Sequence, residues 1–288
     1  MYASKPDKFL FIKSNKTAGT SLEIALTQCL SSRRDQFFTP LSFKDEKLRR
    51  RVSGVSFSDE MCKIFPVEKS RFGWFGPGVS EQLGLLSGFF LDDRSKKRFF
   101  YRRQINRFSR LSGFDTHATY GECLRKYSGF SQYWSCVFAR HPYKRFLSHM
   151  AWQAKNFKNL NSWSAADWHG YARHSASKYC KRSLLHYAYD KKTNSFVSAI
   201  LAFEFLDQGT QLVGKRLSLD PGSLAKAMPK TKNKSSSVLS RVDWAELLDS
   251  RVKSMILRSE EILFKEMGYQ DSLDSFAPSR PFFFPEAL

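Results

Sequence analysis

The sequence predicts an α/β fold in which a central parallel sheet is flanked by helices, and three observations carry that expectation. Two stretches far apart in the chain each pass from a short apolar run, through a polar turn, into a segment with helical periodicity. In addition, 288 residues with 42% apolar content suffice to bury one substantial core. A single domain over 1–288 is the simplest organisation, with a variable insertion at about 31–115 and an extended C-terminal tail at about 271–288.

The first stretch is "KFLFIKSNKTAGTSLEIALTQCL", residues 8–30. Phe9 to Ile12 make a strand, and Leu22, Ala25, Leu26, Cys29 and Leu30 recur at helical spacing behind Thr20 and Ser21, which can cap the helix. Lys16 lies in the turn between them. Backbone N–H groups converging at a helix N-terminus attract an anion, and a lysine in the same turn adds a point charge, so the unit reads as a phosphate-type cradle. Lys16 precedes Gly19 instead of following it, so this is not the Gly-x-x-x-x-Gly-Lys-Ser/Thr loop of nucleotide triphosphatases. An ordinary surface turn with a solvated lysine fits the same residues.

The second stretch is "SQYWSCVFARHPYKRFLSHMAW", residues 131–152. "YWSCVFA" is a buried-strand candidate, with Trp134 and Phe138 assigned to the core. Arg140 and His141 stand at its end, Pro142 takes the first helical position, and Phe146, Leu147, Met150 and Ala151 share a helical face. An arginine thus stands at the carboxyl end of a strand, where open α/β sheets hold ligands.

Between these units, residues 31–115 mix arginine, phenylalanine and glycine with little periodicity. Within them "RSKKRFFYRRQINRFSR", 94–110, carries eight basic residues, no acidic one, and aromatics at Phe99, Phe100, Tyr101 and Phe108. It is either a solvated helical face with inward aromatics or a groove for an anionic chain. Downstream, 183–206 reads as a helix followed by a strand ending near "AFEFL", and "MPKTKNKSSS", 228–237, as a lysine-rich loop. Asp243 to Met267 reads as one long helix or two short ones, stopped at Gly268. The tail "SFAPSRPFFFPEAL" has three prolines and is expected to pack as an extended strap or hang free.

Lysine and arginine number 47 against 27 acidic residues, a formal charge of +20, which favours a polyanionic partner: nucleic acid, acidic glycan or an anionic membrane face. The longest mainly apolar run, "FVSAILAFEFL" at 196–206, is too short to cross a bilayer, so no membrane span is expected. Cysteines at 29, 62, 123, 136 and 180 are odd in number and form no C-x-x-C pair, and no segment resembles a signal peptide. A reducing cytoplasm is the expected compartment, and no metal site is expected.

Taken together, strand–"KTAGTS"–helix and strand–"RHPYKRFLS"–helix resemble the two cofactor motifs of sulfotransferases that use 3′-phosphoadenosine 5′-phosphosulfate (PAPS), and more narrowly the bacterial branch related to glycan O-sulfotransferases of the heparan sulfate and chondroitin type. Arg140 and Ser148 keep that family's arginine-to-serine spacing. "THATYGE" at 116–122, "FEFL" at 203–206, "MPKTKNKSSS" and the closing "EEILFKEMGY" are similar to further family segments in the same order. The chain departs from the family where Ser14 and Asn15 replace an apolar or histidine residue and a proline, and where His141 replaces asparagine. Loss of the proline bears on the rigidity of the turn.

The resemblance implies a P-loop-like three-layer fold and transfer of a sulfuryl group from PAPS to a hydroxyl of a carbohydrate or related metabolite. It implies that Lys16 stabilises the leaving phosphate, that Thr17, Ala18, Gly19, Thr20 and Ser21 hold the 5′-phosphate, and that Arg140 and Ser148 hold the 3′-phosphate, with Lys232 (and Lys230 and Lys234 beside it) closing over the nucleotide. His117 is implied as the general base, with Glu122, His141 and His149 as competitors. Arg102, Arg103 and Arg107 are expected to hold an anionic acceptor. Two other classes fit parts of the sequence. A kinase or NTPase with an atypical phosphate loop is weakened by the lysine position. A basic nucleic-acid-binding protein, which the charge and the basic aromatic run would suit, is the less favoured partner reading.

Overall fold

The computed structural model describes residues 1–33, 36–54, 106, 114, 117–154, 157, 160–229, 243, 246–272 and 277–285. The chain forms a mixed α/β structure around a six-stranded sheet. Its strands are β1 (Tyr2–Ser4), β2 (Phe9–Ile12), β3 (Gln36–Phe38), β4 (Trp134–Ala139), β7 (Ala199–Ala202) and β8 (Phe282–Phe283), in spatial order β3-β1-β2-β4-β7-β8. A separate hairpin is made by β5 (Tyr189–Asp190) and β6 (Ser195–Phe196).

The centre of the sheet is parallel. β2 pairs with β4 (Ile12 opposite Val137) and β4 with β7 (Ala139 opposite Ala202), and their carboxyl ends lie side by side. β1 is antiparallel to both β2 and β3, and β8 is antiparallel to β7, so four of the six strands run one way. Phe9–Ile12 and Ala199–Ala202 are buried at every position, which is why these runs are continuously apolar and do not alternate.

The expected parallel core is present, with antiparallel strands at its flanks. β3 and the helix after it, α2 (Phe43–Ser53), fall within the stretch that showed little periodicity. α2 is capped by Ser42, whose hydroxyl accepts from the Asp45 N–H, and ends at Gly54 in the left-handed region. In the tail, the main chain of Pro281 accepts from the Ala202 N–H and β8 extends the sheet, so this part of the tail is a strap.

α1 (Gly19–Cys29) follows β2 directly and packs against α2. α3 (Tyr120–Lys126) precedes β4, and α4 (Pro142–Ala154) follows it, opening on the proline as expected. α5 (Ala165–Cys180) packs on α4, and α6 (Leu184–Ala188) leads into the hairpin, which interrupts what the sequence suggested was a plain helix-to-strand passage. α7 (Leu206–Arg216) follows β7, and α8 (Ser223–Ala227) packs on α1 and α7. The final amphipathic stretch is two helices, α9 (Ser250–Ser259) and α10 (Glu261–Glu266), which ends before Gly268 at φ 70°.

One core unites the sheet with α1, α7 and α8, and a second is built by Tyr143, Phe146 and Met150 of α4, Trp168 and Ala172 of α5, and Val252 and Ile256 of α9. Arg145 of α4 is buried between them and the α9–α10 junction, donating to Tyr179 Oη at 2.6 Å and to the Glu260 carboxylate. Among the described residues no helix is long and apolar enough to cross a membrane.

Candidate functional site

Three adjacent parallel strands end together, and each end carries residues singled out in the sequence. Lys13 to Ala18 follow β2, Arg140 and His141 follow β4, and Phe203 to Phe205 follow β7. Such a row of strand ends is where open α/β sheets bind ligands.

The turn after β2 is tightly shaped. Lys16 at φ 64° and Ala18 at φ 54° both lie in the left-handed region, which costs energy for residues with a Cβ and is tolerated where the surroundings fix it. Those surroundings are polar. Ser14 Oγ donates to the Phe138 carbonyl at 2.7 Å and lies 2.8 Å from Thr17 Oγ1, while Asn15 Nδ2 donates to Tyr187 Oη at 2.8 Å. Ser14 and Asn15 thus hold the turn by side-chain bonds to β4 and α6, where a proline would instead fix φ.

Helix α1 begins at Gly19, ahead of the expected Thr20/Ser21 cap. Its N-cap is Ala18, which makes no side-chain hydrogen bond, and its first intrahelical bond runs from Leu22 N to Ala18 O at 3.1 Å. The N–H groups of Gly19, Thr20 and Ser21 are therefore the ones left for an anion at the positive end of the helix. Thr17 is buried with its hydroxyl turned back onto Ser14. Gly19 is required by close approach: a Cβ there would lie 2.4 Å from Lys13 Cγ.

The two lysines of this turn have different environments. Lys13 is buried, and its Nζ pairs with Glu23 Oε2 at 2.8 Å. Burial works to raise the Glu23 carboxyl, but Lys13, the Met1 amino group and Arg49 outweigh it and hold Glu23 ionised. Lys16 is half-buried on the open side of the turn, with Nζ 5.2 Å from the centroid of the Trp152 ring.

His117 lies against the same turn, its Nδ1 3.1 Å from the Lys13 carbonyl. Because a carbonyl only accepts, Nδ1 carries the proton and Nε2 keeps its lone pair. Burial, then the charge of Lys13, lowers its pKa to about 4, so the imidazole is neutral at physiological pH. The competing bases have other structural positions. Glu122 closes a capping box at the start of α3, accepting from Thr119 N at 2.7 Å while Thr119 Oγ1 accepts from Glu122 N at 3.1 Å. His141 is fully buried between the rings of Tyr143 and Tyr269. His149, half-buried on α4, is held neutral with a pKa of about 4 by burial and then by Lys16.

Arg140 is half-buried over the Phe203 ring, its Cζ 5.1 Å from the centroid. Glu204 binds the neighbouring strand ends: one carboxylate oxygen accepts from His141 N at 2.9 Å, the other from Tyr269 Oη at 2.6 Å. Ser148 sits half-buried on α4, two helical turns beyond Arg140. Lys16, Gly19, Thr20, Ser21, His117 and Arg140 thus share one end of the sheet. Arg102, Arg103, Arg107, Lys230, Lys232 and Lys234 lie outside the described residues.

The sequence did not single out Tyr187, Lys13, Glu23 or Trp152. Their roles arise from pairings across the fold, and only the Lys13 charge just after β2 and the Glu23 charge in the early part of α1 offered a signal. The chain matches no protein-family model, and no similar curated protein or solved structure was found.

Proposed function

We propose that this protein is a PAPS-dependent O-sulfotransferase of P-loop-like fold, acting in the cytoplasm on a hydroxyl of a carbohydrate or related metabolite. The observation that carries this reading is the convergence of an uncapped helix start, Lys16 and a neutral histidine bonded to the Lys13 carbonyl on one turn, beside the strand end that bears Arg140. The donor set suits a ligand with two separate phosphate groups: main-chain N–H groups and a lysine for one, an arginine fork and a serine hydroxyl for the other.

Bound PAPS supplies the activated sulfuryl group. The first N–H groups of α1 bind and orient the 5′-phosphate, and Lys16 stabilises the charge that develops on its departing oxygen. With PAPS bound, His117 Nε2 would accept the proton of the acceptor hydroxyl as the sulfuryl group passes to that oxygen and the phosphate leaves. An anionic ligand beside His117 raises its basicity from the low value set by burial and Lys13.

Incubation with radiolabelled PAPS and a panel of hydroxyl-bearing oligosaccharides tests the reading. Label should pass to an oligosaccharide, and Lys16→Ala should slow transfer by about 10²-fold or more while changing cofactor affinity less. Transfer of the γ-phosphate of ATP, with none from PAPS, would establish the kinase alternative instead.

A further inference from the structure

We infer that Glu204 is the positioning residue for Arg140: its carboxylate fixes the main chain on which the arginine stands, and its charge limits how tightly an anion is held there. The inference rests on the proposed reading of Arg140 as a 3′-phosphate ligand and deepens it by naming what sets that ligand's place and strength.

The first observation is register. β4 and β7 pair residue by residue up to Ala139 opposite Ala202. One step further Arg140 lies over Phe203, its Cζ 5.1 Å from the ring centroid, and a step beyond that His141 N donates to Glu204 Oε1 at 2.9 Å. The pairing thus continues past the sheet as side-chain contacts, with the Glu204 carboxylate standing where a main-chain acceptor would otherwise be needed. Its position matters. The His141 carbonyl accepts the first helical bond of α4, from Arg145 N at 2.8 Å, and Pro142 has no N–H to offer. Glu204 therefore holds the last N–H before α4 begins, next to the residue that bears the guanidinium.

The second observation is that the carboxylate is held from two sides. Its other oxygen accepts from Tyr269 Oη at 2.6 Å. Burial, then Glu204, raises the Tyr269 pKa, so the phenol keeps its proton and remains a donor. Glu204 is clamped between the end of β4 and the segment that follows α10.

The third observation is charge. Burial opposes the charge of half-buried Arg140, and Glu204 is first among the groups that support it. Glu204 also supports the Lys144 ammonium, against burial and Arg140. A phosphate arriving at Arg140 gains the guanidinium but meets the field of Glu204, so the carboxylate that supports the cation also repels its ligand. Placement and charge act on anion binding with opposite signs. Substitution separates them: glutamine keeps an acceptor for His141 N and an amide for Tyr269 Oη while removing the charge, whereas alanine removes the bonds as well.

Calorimetric titration of wild type, Glu204→Gln, Glu204→Ala, Tyr269→Phe and Arg140→Ala with adenosine 3′,5′-bisphosphate, AMP and inorganic phosphate tests the inference. Glu204→Gln should bind bisphosphate about 3–10-fold more tightly than wild type, with AMP affinity unchanged, and Glu204→Ala about 10-fold or more weakly. Tyr269→Phe, which keeps the charge but frees one oxygen, should weaken bisphosphate binding by about 2–5-fold, and it carries the placement arm if Glu204→Ala does not fold. A merely structural glutamate would leave Glu204→Gln equal to or weaker than wild type, and that result overturns the inference. An equal gain for AMP, or bisphosphate binding unchanged in Tyr269→Phe, overturns it too. If bisphosphate does not bind wild type, the cofactor reading falls and inorganic phosphate decides the inference. Phosphate binding lost in Arg140→Ala and strengthened in Glu204→Gln sustains it; no binding, or binding indifferent to either residue, overturns it.

Discussion

His117 offers only its Nε2 to a ligand, because Nδ1 is spent on the carbonyl of Lys13. That bond fixes tautomer and direction, and burial, then the buried cation of Lys13, sets the basicity. The acid limb of kcat/KM, which reports the free enzyme, should therefore fall near pH 4 and not near the ordinary imidazole value of about 6.5. The sign follows from the role: the base must be unprotonated, so activity is kept above its pKa and lost as pH falls through it. His117→Ala should abolish transfer while bisphosphate binding remains. A limb near pH 6.5 that survives His117→Ala would remove His117 from the role.

At the scale of elements, the charged contact that organises the second motif is Arg145 with Glu260. Both side chains are buried, and Glu260 also accepts from Leu184 N at 3.0 Å, so α4, α6 and the α9–α10 junction meet at one carboxylate. Burial opposes charge on Arg145, but Glu260 outweighs it and holds the guanidinium protonated. Burial raises the Glu260 carboxyl against the pull of Arg145; with two donors on that carboxylate we take the pair as ionised. Arg145→Met should cost about 3–5 kcal/mol in urea unfolding, since it strands a buried carboxylate, and adding Glu260→Leu should recover much of the loss. A cost below about 1 kcal/mol for Arg145→Met would mean the pair contributes little.

The units β2–α1 and β4–α4 were legible because apolar continuity gives way to a 3.6-residue period at a polar turn. β1 and β3, at three residues each, are too short to show any period, and the β5–β6 hairpin has only two residues per strand. Their pairing is decided by neighbours the sequence does not reveal. The same limit applies to the site. Lys16, Gly19 and Arg140 were visible from local pattern, whereas Glu122, read from the sequence as a rival base, turns out to close a capping box with Thr119. The bond from Asn15 to Tyr187 joins residues 172 positions apart, beyond any local signal.

For the whole molecule, acid should be destabilising well above the range where carboxylates protonate. His117 and His149 take up protons only near pH 4 when folded, each because of burial first and nearby cations second, whereas the unfolded chain takes them up near pH 6.5. Between those values the unfolded state binds more protons, so the contribution of these groups is fully present above about pH 6.5 and lost as pH falls toward 4. Urea midpoints measured from pH 7.5 to 4.5 should decline steadily, and His149→Phe should flatten part of the slope. A midpoint constant down to pH 5 would contradict these low values.

The most direct test of the proposed two-phosphate site needs no acceptor: thermal unfolding with adenosine 3′,5′-bisphosphate, AMP or ATP. A ligand that binds only the native state at a hundred times its dissociation constant adds about 2.7 kcal/mol, enough to raise Tm by several degrees in a chain of this size. On the proposed reading the bisphosphate should stabilise far more than AMP, because only its 3′-phosphate would reach Arg140 and Ser148, and Arg140→Ala should shrink that difference. ATP should add little. Strong stabilisation by ATP with magnesium and none by the bisphosphate would contradict the account.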